Sequence, residues 1–108
     1  MLANPMPKHH LSNEEIIKKA IENQQFVSFT YEGQPRTVAI HHLGILSDEL
    51  QVHAYQVSNG SNSGHIPGWK NFHVEMIEAW SLLDQTFTPE PTYHPENSHY
   101  TQIIKRIG

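Results

Sequence analysis

The sequence predicts a mainly β fold with a helix at each end, in the order helix, five strands, helix. Three observations predict it. The apolar spacing is helical up to about Asn23, alternates with a period of two from Phe26 to about Leu83, and becomes helical again at Tyr100. With 108 residues, the chain has room for one domain with a modest core. It has no cysteine, which excludes disulfides, thiolate metal sites and a thiol nucleophile. Seven Lys and Arg against eleven Asp and Glu give a net charge of −4, whereas generic nucleic-acid binding goes with a basic excess. The nine histidines would bring that charge toward zero if several became protonated. No apolar run approaches the roughly 20 residues of a membrane span, and Met1–His10 lacks a signal-peptide core. A cytoplasmic protein is the expectation.

The elements follow in order. Residues 1–10, with Pro5, Pro7, His9 and His10, read as a disordered tail. Ser12 with Glu15 three residues later is a capping box, and Leu11 and Ile16 sit where a hydrophobic staple would pack. Ile16, Ile17, Ala20 and Ile21 make one helical stripe that ends near Asn23. Val27, Phe29 and Tyr31 alternate with polar residues as a first strand, and Glu32–Pro35 is a turn. Arg36–His41 alternates again. Leu50–Val57 is a third strand after the polar turn Ser47-Asp48-Glu49. Trp69–Met76 reads as a fourth strand and Ala79–Leu83 as a fifth. Residues 84–95 form a Pro- and Thr-rich connector. Tyr100, Ile103, Ile104 and Ile107 fall at i, i+3, i+4 and i+7, an amphipathic helix with Lys105 and Arg106 in its last turn. Short sequential strands with tight turns favour a strongly bent sheet or partly open barrel.

Read as text, residues 15–87 resemble a WYL domain. Ala20-Ile21 precedes a strand ending in Tyr31; Arg36-Thr37-Val38 and His41-His42-Leu43-Gly44 follow. Leu50–Tyr55 falls where that family has its name-giving strand, Phe72–Ile77 where it has a Phe-Arg-Leu-Asp-Arg-Ile-like strand, and Phe87 at its closing aromatic. The resemblance implies a five-stranded Sm-like small barrel over residues 11–87, with 88–108 as connector and C-terminal helix. It also implies a ligand-sensing role linked to bacterial transcription regulation, with a nucleotide or nucleic acid as ligand. The chain departs from the pattern: it has no helix-turn-helix, Leu50 and Gln51 replace the Trp and its neighbour, Ile40 replaces a proline, and His73 and Met76 replace arginines.

Three chemistries are available to these residues. Gly60, Ser61, Ser63 and Gly64 offer backbone donors that suit an anion, with Trp69 and Lys70 just beyond. The sheet face expected to carry Arg36, His41, His53, Tyr55 and His73 would border that loop. Arg36 and Lys70 would neutralise a ligand, Tyr55 and Trp69 would stack on a planar ring, and the histidines would donate and tune binding with pH. His41, His53 and His73 are also a conceivable metal set, but no chelating spacing supports it, and His41 and His42 should point to opposite faces. Ser61 or Ser63 beside His65, or Glu75 and Asp84, make no nucleophile–base–orienter trio. Phe29, Tyr31, Phe72 and Trp80 read as core. The expectation is a non-catalytic, cofactor-free binding module for a nucleotide or other anion. Homo-oligomeric assembly, or weak single-stranded nucleic-acid binding, is the alternative.

Overall fold

A computed structural model describes residues 12–58 and 67–108. The described residues fold as one α-helix and six strands. Helix α1 spans Asn13–Asn23 and starts at the capping box: Ser12 Oγ accepts from Glu15 N–H at 3.1 Å, and Ser12 N–H donates to the Glu15 carboxylate at 3.0 Å. It buries Ile17, Ala20 and Ile21. Asn13 fastens its first turn to distant chain: its amide donates to Val74 O at 2.9 Å, and its oxygen accepts from Trp80 Nε1 at 2.8 Å.

The strands are β1 (Gln25–Tyr31), β2 (Gln34–Leu46), β3 (Glu49–Ser58), β4 (Gly68–His73), β5 (Glu78–Thr86) and β6 (Gln102–Arg106). All pair antiparallel in the order β4-β3-β2-β1-β5, with β6 also on β2. The sheet is not closed into a barrel. Strand β2 is long enough to serve two neighbours on one side: Gln34–Val38 pair with β1, and His42–Ile45 pair with β6. The two tight hairpins place consecutive residues at positive φ, Glu32 (53°) and Gly33 (78°), then Ser47 (53°) and Asp48 (65°). That is the backbone sense which matches strand twist. The core holds Ile17, Val27, Phe29, Tyr31, Ile40, Leu43, Val52 and Phe72, with Trp80 packed against it. Phe29 meets both Phe72 and Trp80 edge-on at 5.1 Å. The described helix is too short to cross a membrane.

Two expectations fail. Residues after His73 turn into one 3-10 turn, Val74–Met76, instead of continuing the fourth strand. The C-terminal segment is strand β6, not a helix. His99 lies at φ 68°, which stops a helix from running through it. The β2 stretch 42–45 offers unpaired backbone, and isoleucines suit a strand. Alternation leaves Ile104 39% exposed while Ile107 is buried. The predicted tail at 1–10 and the Leu11 staple lie outside the described residues.

Candidate functional site

A bulge in β2 builds the first cluster. Ile40 pairs with Ala54 and His42 with His53, so His41 is an extra residue between them. The bulge cancels the alternation that would have split the two histidines. Both rings join one group with the connector: His41 lies 5.0 Å and His42 5.6 Å from the Tyr93 ring. His53 is sandwiched between His42 (4.9 Å, 20°) and Trp69 (4.6 Å, 6°), and Tyr55 meets Trp69 edge-on at 5.2 Å. Tyr100 stands perpendicular to His42 at 4.3 Å.

These histidines are neutral hydrogen-bonding groups. His41 Nδ1–H donates to Ala39 O at 2.9 Å, and its Nε2 accepts the Glu90 N–H at 3.0 Å. A carbonyl only accepts and an amide N–H only donates, so the tautomer is fixed. Tyr93 Oη lies 2.6 Å from His42 Nδ1, and the buried His42 Nε2 has no hydrogen-bond partner among the described residues. His53 Nδ1 bonds Asn71 Oδ1 at 2.9 Å, and the Tyr100 hydroxyl donates to the same oxygen at 2.8 Å. Burial pushes His42 down to about 3, with His53, His41 and Arg106 adding to the effect. Burial also lowers His41 and His53, against their hydrogen bonds to the Ala39 and Asn71 oxygens respectively. Burial raises Tyr93 to about 12 and raises Tyr100 as well. The lowering of the histidines works against the charging by which His41 and His53 are expected to tune binding with pH. Their rings are also occupied by neighbours, which leaves no open face on His53 for a ligand to stack on.

The cations lie on the other side of the sheet. Arg36 pairs with core-facing Phe29, and Lys70 pairs with buried Ala54. Neither joins His41, His53, Tyr55 and Trp69, so the single face expected to carry Arg36 with the histidines is two. The Arg36 side chain is 11% exposed. Its guanidinium sits 5.7 Å from the Tyr31 ring centroid and 5.8 Å from that of Phe72. Nη2 donates to Tyr31 O at 3.3 Å, and Nη1 to Gln56 Oε1 at 3.4 Å. Nε is buried and has no partner among the described residues. The carboxylate paired with it, Glu32, is 3.8 Å away and 64% exposed. Gln56 is buried on the same β3 face as Ala54, so Arg36, Gln56 and Lys70 share one face of the sheet.

His73 joins neither cluster; it bonds Glu49 at 2.7 Å. The cavity there, about 360 Å³, is lined by Glu49, Leu50, Val74 and Glu75, a carboxylate lining that repels anions. Gly60, Ser61, Ser63 and Gly64 lie outside the described residues. Among the described residues no group of three His, Asp or Glu is placed to hold a metal. Sequence reasoning missed His42, Tyr93, Tyr100, Asn71 and Gln56 as members of these clusters. The tyrosines belong to a stretch without strand periodicity, and nothing in the alternation marks the bulge. No family model, curated protein or solved structure matches the chain.

Proposed function

We propose that this chain is a non-catalytic binding module for a small anion of the nucleotide or phosphate-ester class, taken at the Arg36 end of the sheet. One observation carries the reading. Arg36 is a nearly buried guanidinium whose Nε donor is unfilled among the described residues, and its carboxylate partner is distant and largely in solvent. An unfilled buried donor costs about 1–3 kcal/mol, which an incoming oxyanion would recover. A guanidinium also grips phosphate with two parallel bonds. Lys70 on the same face adds a second positive charge. The WYL resemblance and the helix-then-bent-sheet order support the same reading, with an Sm-like small barrel as its finer fold and transcription regulation in a bacterial cytoplasm as its setting.

The test is calorimetric titration of the full chain with nucleoside mono- and diphosphates and with short single-stranded oligonucleotides in low salt. The expected result is micromolar binding of at least one, lost in Arg36→Ala. Binding no tighter than millimolar for every probe removes the reading.

A second reading, homo-oligomeric assembly, is supported by strands β4 and β5 standing at the two ends of the sheet path. Unpaired strand edges invite pairing with another chain. Met76, 45% exposed just before β5, adds apolar surface there.

A further inference from the structure

We propose that residues 88–108 form a strap latched to the sheet through the lone pairs of two neutral imidazoles, His41 and His42, and that protons release it.

The strap is anchored at one end. Phe87 N–H donates to Gln24 O at 2.8 Å, Gln24 Nε2 donates to Phe87 O at 2.9 Å, and the Phe87 ring lies 5.5 Å from that of Phe26. Beyond Phe87 the strap crosses the histidine face. It is tied there by Glu90 N–H on His41 Nε2, by Thr92 Oγ1 on Trp69 Nε1 at 2.9 Å, and by Tyr93 on His42 Nδ1. It then lies down as β6 along His42–Ile45, and Ile107 N–H donates to His41 O at 3.0 Å. An open cleft of about 320 Å³ on the strap is lined by Pro89, Tyr93, Pro95, Arg106, Ile107 and Gly108. Peripheral elements open at lower free energy than cores.

Two of its ties need an unprotonated ring. His41 Nε2 accepts an amide N–H, so a proton on that nitrogen sets donor against donor. For His42, the arrangement with Tyr93 donating leaves one group unpaired, the Nε2–H; the reverse leaves both Nε2 and the tyrosine hydrogen unpaired. A proton on Nδ1 therefore removes the acceptor that the hydroxyl uses. The ionisable groups facing these rings are His53 on β3, Arg106 on β6, and Tyr93 and Tyr100 within the strap; Glu96 acts on Tyr93. Arg106 and a protonated His53 both oppose a charge on His42, and the carboxylate in the set is one step removed. Among the described residues no carboxylate pairs with either ring in the closed strap, whereas water solvates imidazolium once it opens. Release uncovers the β2 edge from His42 to Ile45 and the Trp69 face.

The experiment is native-state amide exchange on the full chain at pH 7.5 and pH 5, corrected for intrinsic rates, with 15N-histidine spectra alongside. A histidine neutral when closed and ordinary when open raises the open-to-closed ratio about 30-fold between these pH values. The expected result is at least a 30-fold loss of protection at 102–107, with β1 and β3 amides protected at both pH values. At pH 7.5 the His41 spectrum should be that of a neutral Nδ1–H ring. In His41→Gln, whose amide oxygen accepts but does not titrate in this range, the pH effect should be clearly smaller than in the wild type. Unchanged protection at 102–107, or loss shared equally by β1 and β3, overturns the proposal. So does a full wild-type response in His41→Gln; if that variant does not fold, the wild-type exchange and spectra decide alone.

Discussion

Trp69 lies parallel to His53, 4.6 Å away and tilted by only 6°, while its indole N–H reaches across to Thr92. The pair spans the β3–β4 junction and the connector at once. Trp69 also meets His41, Tyr55 and Tyr93 within 6 Å. Removing the indole strips contacts from four rings, so Trp69→Ala should cost about 3 kcal/mol and Trp69→Phe about half of that. Urea unfolding with an unchanged m-value is the check; a cost below about 0.5 kcal/mol for the alanine would mean that the stack forms without contributing.

Stability should decline in mild acid. The folded-state values of His41, His42 and His53 are lowered relative to about 6.5 in the unfolded chain, so the unfolded chain binds more protons below that pH. Each histidine then removes up to about 1.4 kcal/mol per pH unit, from about pH 6.5 downward until its folded-state value is reached. Urea midpoints at pH 7.5, 6 and 5 should fall in that order. A midpoint that rises on acidification would mean the histidines are charged and paired in the fold.

Gly44 is where β6 comes closest to β2. A Cβ there would collide with the Gln102 carbonyl oxygen and crowd the Tyr100 ring. Gly44→Ala should push β6 away even at neutral pH, at a cost of about 1–3 kcal/mol. The marker is faster amide exchange at 102–106 with β1 and β3 still protected; unchanged exchange would show that β6 can shift to accept a methyl group.

At the anion site, charge alone should not suffice. Arg36→Lys should weaken nucleotide binding about tenfold and Lys70→Ala less, because a lysine cannot supply the paired donors or the flat packing against Tyr31 and Phe72. Calorimetry on both variants decides it, and equal losses would mean that the site senses only net charge.

Self-assembly is checked by light scattering at roughly 100 μM, where an obligate interface is saturated. A dimer or larger species is the expected result. A clean monomer mass removes assembly through the β4 and β5 edges.

Much of this architecture was legible residue by residue. Ser12 and Glu15 mark the helix start, and Val27, Phe29 and Tyr31 alternate because one face of β1 is buried. What stayed hidden was decided by tertiary context. Tyr100, Ile103, Ile104 and Ile107 fit a helical stripe as text, but the vacant half of β2 recruited them into a strand. The candidate site divided for a similarly local reason. Arg36 and His41 lie on opposite faces by plain alternation once Arg36 is seen to face Phe29, and the bulge then moved His42 to join His41. No one-dimensional pattern announces an inserted residue.

The Asn13–Trp80 hydrogen bond joins residues 67 positions apart, and its consequence is kinetic. The first turn of α1 gains its outside anchors only when the distant segments at Val74 and Trp80 have packed against it. High sequence separation of this kind slows a domain to the millisecond-to-second range. The chain carries two tryptophans, and they report on different events. Trp80 times the joining of helix to sheet, whereas Trp69 times the arrival of the connector, so Trp69→Phe and Trp80→Phe give two stopwatches for one refolding reaction.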